Sequence, residues 1–130
     1  MNNKLRLASY LCTLFLLVGC GESRTSIDTR GYYGAFNMIE LEVNDMDQYV
    51  NSKNYKVQYN PVEDQLGSAI YAFMRNEDVK GTPLEAEAKK LADQEQQILK
   101  IWKTRDRSVE KIRTAVKEMQ DQVEHLKTML

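Results

Sequence analysis

Apolar residues recur at alternating intervals of four and three along the C-terminal half of the chain. In the series from Leu84 to Leu130, twelve of the fourteen positions are apolar, and only Glu95 and Arg105 interrupt it. Apolar residues at such intervals form one face of an α-helix, and a repeat sustained over several heptads is typical of a coiled coil. No glycine or proline lies between residues 84 and 130. The pattern therefore predicts one long helix over 83–130 with coiled-coil heptads.

The distal part of this helix, residues 109–130, is expected to lie beyond the reach of the shorter helices upstream. An apolar stripe left bare there is unfavourable in water. We therefore predict that 109–130 is a coiled-coil-like association surface, either for a second copy of the chain in a homo-oligomer or for another protein. The alternative is that this segment folds back on its own chain. The residues of the predicted surface, called the C-terminal seam below, are Val109, Ile112, Val116, Met119, Val123 and Leu126.

Two helix starts are marked in the sequence. Asn60-Pro61-Val62-Glu63 has a capping residue, then proline at the first helical position and glutamate at the third, and Thr82-Pro83-Leu84-Glu85 repeats this arrangement. The first motif predicts a helix from residue 61 to about 76, and the second begins the long helix. The fold class that follows is all-α, with short helices packed on the start of one long C-terminal helix.

The segment 35–59 has two interpretations. Phe36, Ile39, Val43, Met46 and Val50 follow helical spacing, which favours a helix to about residue 51 followed by a connecting segment over 55–60. The runs 39–43 and 55–59 also alternate between apolar and polar residues, which would suit a β-hairpin. Eight aromatic residues lie between positions 32 and 73. Such a concentration favours a packed core, with an aromatic ligand groove as the alternative.

The N-terminus has the form of a secretory signal peptide. Lys4 and Arg6 precede a largely apolar run over 7–18, which is shorter than the roughly 20 residues needed to cross a bilayer. The run ends in Leu17-Val18-Gly19-Cys20, and these four residues resemble the lipobox of bacterial lipoproteins. The resemblance implies cleavage before Cys20 and attachment of lipid to its thiol. It divides the chain into a signal peptide (1–19), a lipidated cysteine with a flexible tether (20–31) and a helical domain (32–130).

The same resemblance carries an expectation about location. A lipidated Cys20 would anchor the chain to a cell membrane, with the domain facing the periplasm. Gly21 follows the cysteine, where an aspartate would resemble an inner-membrane retention signal, so the outer membrane is favoured if the host is Gram-negative. Since acyl chains contribute about 0.8 kcal/mol per buried methylene, a multiply acylated cysteine gives a durable anchor.

Candidate chemistry is sparse. The only histidine, His125, is expected on the solvent face of the long helix, and Asp45 and Asp47 lack the glycine and ligand spacing of a calcium loop. The 18 basic and 19 acidic residues nearly balance, which gives no indication of nucleic-acid binding. We therefore expect no enzyme activity, no metal and no cofactor.

These expectations combine into two hypotheses of function. The first is a non-catalytic, lipid-anchored structural or adaptor protein of the cell envelope, which acts through association of the C-terminal seam with itself or with an envelope protein. The second is a periplasmic carrier or pilotin-like chaperone, which binds a peptide or an apolar ligand through the aromatic-rich region 32–73.

Overall fold

The computed structural model describes residues 31–130, and these residues are helical with no strand among them. Four helices follow one another: α1 (Tyr32–Asn51), α2 (Asp64–Arg75), α3 (Pro83–Lys103) and α4 (Val109–Thr128). The prediction of an all-α domain is thus confirmed for this part of the chain. The predicted lipobox and lipidation site, Leu17 to Cys20, lie outside the described residues.

The helices form an antiparallel four-helix bundle. Each packs against two neighbours, in the pairs α1–α2, α2–α3, α3–α4 and α4–α1. Cross-helix hydrogen bonds give the direction of α4, because Gln122 bonds to Glu87 and Gln94 bonds to Glu118, so that residue numbers rise on one helix as they fall on the other. When successive helices are joined in this antiparallel way, the bundle has the up-down-up-down arrangement of simple bundles.

Helix α1 forms as its apolar spacing predicts. Phe36, Ile39, Val43, Met46 and Val50 are its buried residues, so they occupy one face over about four turns. The hairpin interpretation of 35–59 is therefore wrong, and the helical one is right. Residues 55–60 lie in the connection between α1 and α2, also as predicted, and this connection contributes the ring of Tyr55 to the core.

The two predicted helix starts behave differently. At α3 the motif works as a cap: the Thr82 hydroxyl accepts a hydrogen bond from Leu84 N at 3.2 Å, and the Glu85 carboxylate accepts one from Gly81 N at 2.6 Å. Gly81 has a φ of 74°, a left-handed conformation that favours glycine. At the earlier motif the Asn60 side chain accepts from Val62 N at 3.0 Å and forms a turn. Helix α2 then begins only at Asp64, so that predicted start is wrong by three residues.

The long helix over 83–130 is also a wrong prediction, because the chain ends α3 at Lys103 and starts α4 at Val109. Thr104 ends α3 in an extended conformation, and its hydroxyl donates to Ile101 O at 2.7 Å. Ser108 caps α4 by accepting a hydrogen bond from Lys111 N at 3.2 Å. Side chains that bond to nearby backbone compete with the helix. A run of six polar residues, 103–108, gives the helix no apolar contact to oppose that competition.

The turn at 104–108 reverses the chain, so α4 folds back along α3 and α1. This changes the surroundings of the C-terminal seam. Its residues were predicted to associate with a partner, whereas five of them are buried in the chain's own core and Val109 is half-buried against it. Burial of each large apolar side chain stabilises the fold by about 1.5–3 kcal/mol, which favours folding back over a bare stripe. The prediction of a coiled-coil association surface at 109–130 is therefore corrected by the structure.

Candidate functional site

A glutamate and a glycine meet in the interface between α2 and α3. Gly67 lies at the end of the first turn of α2, and the carboxylate of Glu95 on α3 rests against its backbone. A Cβ atom at position 67 would lie 3.2 Å from Glu95 Oε1 and 3.3 Å from Oε2. These distances are tighter than ordinary van der Waals contact. Glycine therefore provides the space that the carboxylate occupies, although glycine costs a helix interior about 1 kcal/mol relative to alanine.

The carboxylate of Glu95 is almost without hydrogen-bond partners. The residue is 9 % exposed, and it is the one buried charged residue among the described positions. Gln96 Nε2 lies 3.4 Å from Oε1, whereas Oε2 is buried with no partner. Burial without compensating donors disfavours the charged form and raises the pKa of Glu95 above its ordinary value. An acidic group held in this way destabilises the fold, because a buried polar atom without a partner costs about 1–3 kcal/mol.

Glu95 lies at the edge of a cleft of about 280 Å³ between α2 and α3. The side chains of α2 that line it recur at helical spacing, so they belong to one face of that helix. Those of α3 come from the five-residue stretch 92–96, which includes Glu95. The lining residues are Gly67, Ile70, Tyr71 and Met74 from α2, and Ala92, Asp93, Glu95 and Gln96 from α3.

The cleft exists because small residues face each other across the interface. Gly67 has no side chain and Ala92 only a methyl group, so neither fills the space between the helices. Ile70 and Met74 provide apolar walls, and Tyr71 is 59 % exposed beside the cleft. The guanidinium of Arg75 lies 5.1 Å from the centre of the Tyr71 ring, a cation–π arrangement that holds this ring at the surface.

Charge in the cleft is of one sign. Asp93 and Glu95 supply two carboxyl groups, and no lysine, arginine or histidine is among the lining residues. Apolar walls with a few convergent polar groups, together with a carboxyl group of shifted pKa, are the usual features of a binding site. The α2–α3 cleft is therefore the candidate functional site of the domain.

The aromatic residues between 32 and 73 do not form one groove. Phe36, Tyr55 and Phe73 are buried in the core, while Tyr33, Tyr49, Tyr59 and Tyr71 are exposed. The core therefore includes some of these aromatic residues, whereas others lie at the surface. The rings contact one another at opposite ends of α1, where Tyr32 packs edge-on against Phe73 at 5.6 Å and Tyr49 packs edge-on against Tyr55 at 5.1 Å. Only Tyr71 reaches the cleft.

His125 lies on the exposed surface of α4, as predicted, but it has an acidic neighbour. Its Nε2 is 3.5 Å from the carboxylate of Glu87 on α3. Lys90 and Gln122 donate hydrogen bonds to the same carboxylate at 2.9 and 2.7 Å, and these bonds lower the pKa of Glu87. The cluster joins α3 to α4 through an ionised carboxylate whose acceptor positions are largely used. It therefore offers less to a ligand than Glu95 does.

Neither a metal site nor a membrane-spanning helix is present among residues 31–130. No group of three or more histidine, cysteine, aspartate or glutamate side chains there is placed to hold a metal ion. Within the same residues, none of the helices combines the length and apolar character needed to cross a membrane. Comparisons of the chain with known protein families, with characterised proteins and with solved structures find no match.

Two irregularities in the sequence lie at the cleft, although the helical periodicity alone does not explain them. Glu95 interrupts an apolar series at a position that should be buried, and Gly67 stands inside a predicted helix where it weakens that helix. Each is an exception to the local pattern. Only the packing of α2 against α3 shows that the two exceptions are adjacent and that one makes room for the other.

Proposed function

We propose that this chain is a lipid-anchored protein of the bacterial cell envelope whose helical domain is a non-catalytic binding module. Cys20 would carry the lipid, the tether would connect it to the bundle, and the α2–α3 cleft would hold a small ligand or a side chain of a peptide. The resemblance of Leu17-Val18-Gly19-Cys20 to a lipobox supports the anchor. The cleft supports the binding module.

One observation carries the proposed binding role, namely a nearly unpartnered carboxylate beside an apolar cleft. An apolar residue at position 95 would avoid the cost of burying this group. Proteins depart from such local consistency mainly at functional sites. The lining set provides two carboxyl groups, an amide, a phenol and apolar walls, which can hold a ligand by shape and charge.

This proposal assigns binding to the cleft and not to the C-terminal seam. The side chains of the seam pack inside the bundle, and exposing them to a partner would require α4 to leave its place between α1 and α3. Of the two hypotheses drawn from the sequence, the carrier therefore has the stronger support. Its site differs from the one expected, because Tyr71 is the one aromatic residue that lines the cleft and the other lining residues of α2 and α3 are not aromatic.

The anchor is tested by replacing the lipidated cysteine. We expect Cys20→Ser to abolish labelling of the chain by radioactive palmitate and to move it from the membrane fraction to the soluble fraction. The matched control is Cys12→Ser, which removes the other cysteine of the chain and should change neither result. Unchanged labelling of Cys20→Ser would contradict the proposed lipidation site.

The binding module is tested by filling the cleft. Butan-1-ol is a probe small enough for this space, and its binding can be followed through the methyl resonance of Met74 with the full chain in non-ionic detergent. We expect a saturable shift that is lost in Ala92→Phe, whose ring would occupy the cleft. Ala86→Phe is the matched control, because Ala86 is exposed on α3 outside the cleft. Absence of a saturable shift with butan-1-ol and with charged analogues of the same chain length would contradict the proposed role.

A further inference from the structure

We propose that the α2–α3 cleft is a binding site for a primary alkylammonium group. In this arrangement the ammonium donates hydrogen bonds to the carboxylate of Glu95, and its alkyl chain lies along Ile70, Tyr71 and Met74. This inference rests on the proposed binding role of the cleft and names the chemistry of the ligand.

The unused hydrogen-bond capacity of Glu95 favours a ligand that donates hydrogen bonds. An ionised carboxylate has about four acceptor positions, and in the described structure only a 3.4 Å contact from Gln96 Nε2 uses one of them. An ammonium group has three donors and no acceptor, so it complements this unused capacity. A ligand that offers only acceptors would leave the carboxylate unsatisfied and would add repulsion.

The charge of the residues that line the cleft favours a cationic ligand. Asp93 and Glu95 are its charged lining residues, and both are acidic. Arg75 contacts one lining residue, and its guanidinium lies over the ring of Tyr71 at 5.1 Å from the ring centre. Arg75 thus faces the ring of Tyr71 and forms no ion pair with Glu95. A cationic ligand would meet the carboxylates without competition from a basic lining side chain.

The volume and the lining residues of the cleft favour a short alkyl chain. A volume of about 280 Å³ lies just below the range typical of drug-sized ligands, roughly 300–1,000 Å³. The cleft therefore suits one short arm of a ligand and not an extended molecule. The walls are mainly apolar and Glu95 carries the buried charge, which matches a linear alkyl chain that ends in a single cation. Such an arm is present both in free alkylamines and in the lysyl side chains of peptides.

Ligand binding should also alter the ionisation of Glu95. In the described structure, burial raises the pKa of the Glu95 carboxyl group. A cation placed beside this group would favour its ionised form and lower the pKa again. The cost of burying the carboxylate would then be offset by the ion pair in the bound state.

The test compares probes that share an alkyl chain and differ in the head group. Butylammonium, butan-1-ol and butyrate are titrated into the full chain in non-ionic detergent, and the methyl resonances of its methionines are recorded. Met74 lines the cleft and reports binding, whereas Met119 is fully buried in the core and is an internal control. We expect butylammonium to give a saturable shift of Met74 and to bind at least about tenfold more tightly than butan-1-ol, with no binding of butyrate.

Two matched variants assign the effect to the carboxylate. Glu95→Gln keeps the shape of the side chain and removes its charge, so we expect butylammonium to lose its advantage over butan-1-ol. Glu118→Gln makes the same change at an exposed residue of α4 outside the cleft and should bind butylammonium as the wild type does. A thermal melt of each variant confirms that the bundle is folded.

The outcomes separate this inference from the proposed function. Equal binding of butylammonium and butan-1-ol, or an undiminished preference in Glu95→Gln, would overturn the alkylammonium site and leave an apolar binding cleft in place. No binding of any probe would overturn both. A fourth probe, lysine blocked at its α-amino and carboxyl groups, distinguishes the sources: tighter binding than butylammonium indicates a peptide side chain, and weaker binding indicates a free amine.

Discussion

The two sides of the bundle are built differently. On one side, α4 packs against α1 and α3 through fully buried side chains that include Ile112, Val116 and Met119. Polar contacts are confined to the edges of this interface, where Arg113 Nε donates to Val50 O at 2.8 Å and Lys127 pairs with Glu40 at 2.5 Å. Apolar packing occupies the centre and hydrogen bonds lie near solvent, which is the arrangement expected for stability.

On the other side, α2 packs against α3 through an interface that departs from this rule. A glycine stands where a larger residue would fill space, and a carboxylate with no strong hydrogen bond occupies a core position. The cleft opens beside them. The difference between the two sides is one of charge: the first side buries no charged residue among the described positions, whereas the second buries a carboxylate with no strong hydrogen bond beside a cleft.

If the side of the bundle formed by α4 provides most of its stability, charges placed on the buried face of α4 should unfold the domain. We expect the double substitution Val116→Lys with Val123→Lys to unfold the domain, since each change places a charge at a buried position without a partner. The expected loss exceeds 5 kcal/mol, which is comparable to the total stability of a small domain. Far-ultraviolet circular dichroism should show loss of helix content at 25 °C.

The control places the same charges on the outer face of α4. Thr114→Lys with Glu124→Lys changes two exposed residues, and we expect each change to alter stability by no more than about 0.5 kcal/mol. Retained helix content in Val116→Lys with Val123→Lys, together with a lower mass in solution, would instead support the association surface expected from the heptads.

The same helix shows what the sequence can and cannot predict. Its apolar spacing correctly identified which face of α4 is buried, because that face is set by periodicity alone. It did not identify the surface against which the face packs, since a heptad seam fits a neighbouring helix of its own chain as well as that of a partner. The reversal at 104–108 decides between them, and its stop signal is a run of polar residues that bond to nearby backbone, with no glycine or proline.

The cleft was predictable only in part. The helical reading of 35–59 and the cap at Thr82 followed from local rules, which act over a few residues. The cleft depends on residues 28 positions apart, since Gly67 on α2 accommodates Glu95 on α3. No local pattern links two such positions, although each of them stands out as an irregularity in its own helix.

The second prediction tests the cost of the buried carboxylate. Methionine is similar in length to glutamate and has no charge, so we expect Glu95→Met to raise the free energy of unfolding by about 1–3 kcal/mol. Chemical denaturation at pH 7 measures the change. Glu118→Met, at an exposed position of α4, is the control and should have little effect. Destabilisation by Glu95→Met would show that the carboxylate contributes to the fold, and the contrast between the two sides would be lost.

The third prediction uses pH and has a smaller expected effect. Burial raises the pKa of Glu95 in the folded state, so the folded chain retains this proton to a higher pH than the unfolded chain does. The contribution of Glu95 to stability should therefore decline as pH rises from about 4.3, the usual value of an unfolded glutamate, through the folded-state pKa. Above both pKa values the decline is complete.

This pH effect must be separated from that of other carboxyl groups. Glu87 and Asp106 have lowered pKa values through their hydrogen bonds, and they make stability change with pH in the opposite direction. The measured quantity is therefore the difference in unfolding free energy between wild type and Glu95→Gln, in which these other groups cancel. We expect the wild type to become less stable relative to the variant as pH rises. A difference that stays constant across this range would refute the assignment.

The smallest expected effect concerns Gly67, where two opposing terms nearly balance. Gly67→Ala favours the helix by up to about 1 kcal/mol, but the new Cβ would crowd both oxygens of Glu95 at 3.2–3.3 Å. Because that carboxylate ends a flexible side chain beside an open cleft, it can move by a few tenths of an ångström. We therefore expect a net stabilisation of about 0.5 kcal/mol in the wild type and about 1 kcal/mol in a Glu95→Ala background, where nothing crowds the methyl group. Chemical denaturation of the four proteins gives both values, and their difference measures the crowding. A loss of stability in the wild-type background alone would show that the carboxylate is held rigidly against Gly67, and that this side of the bundle is packed as tightly as the other.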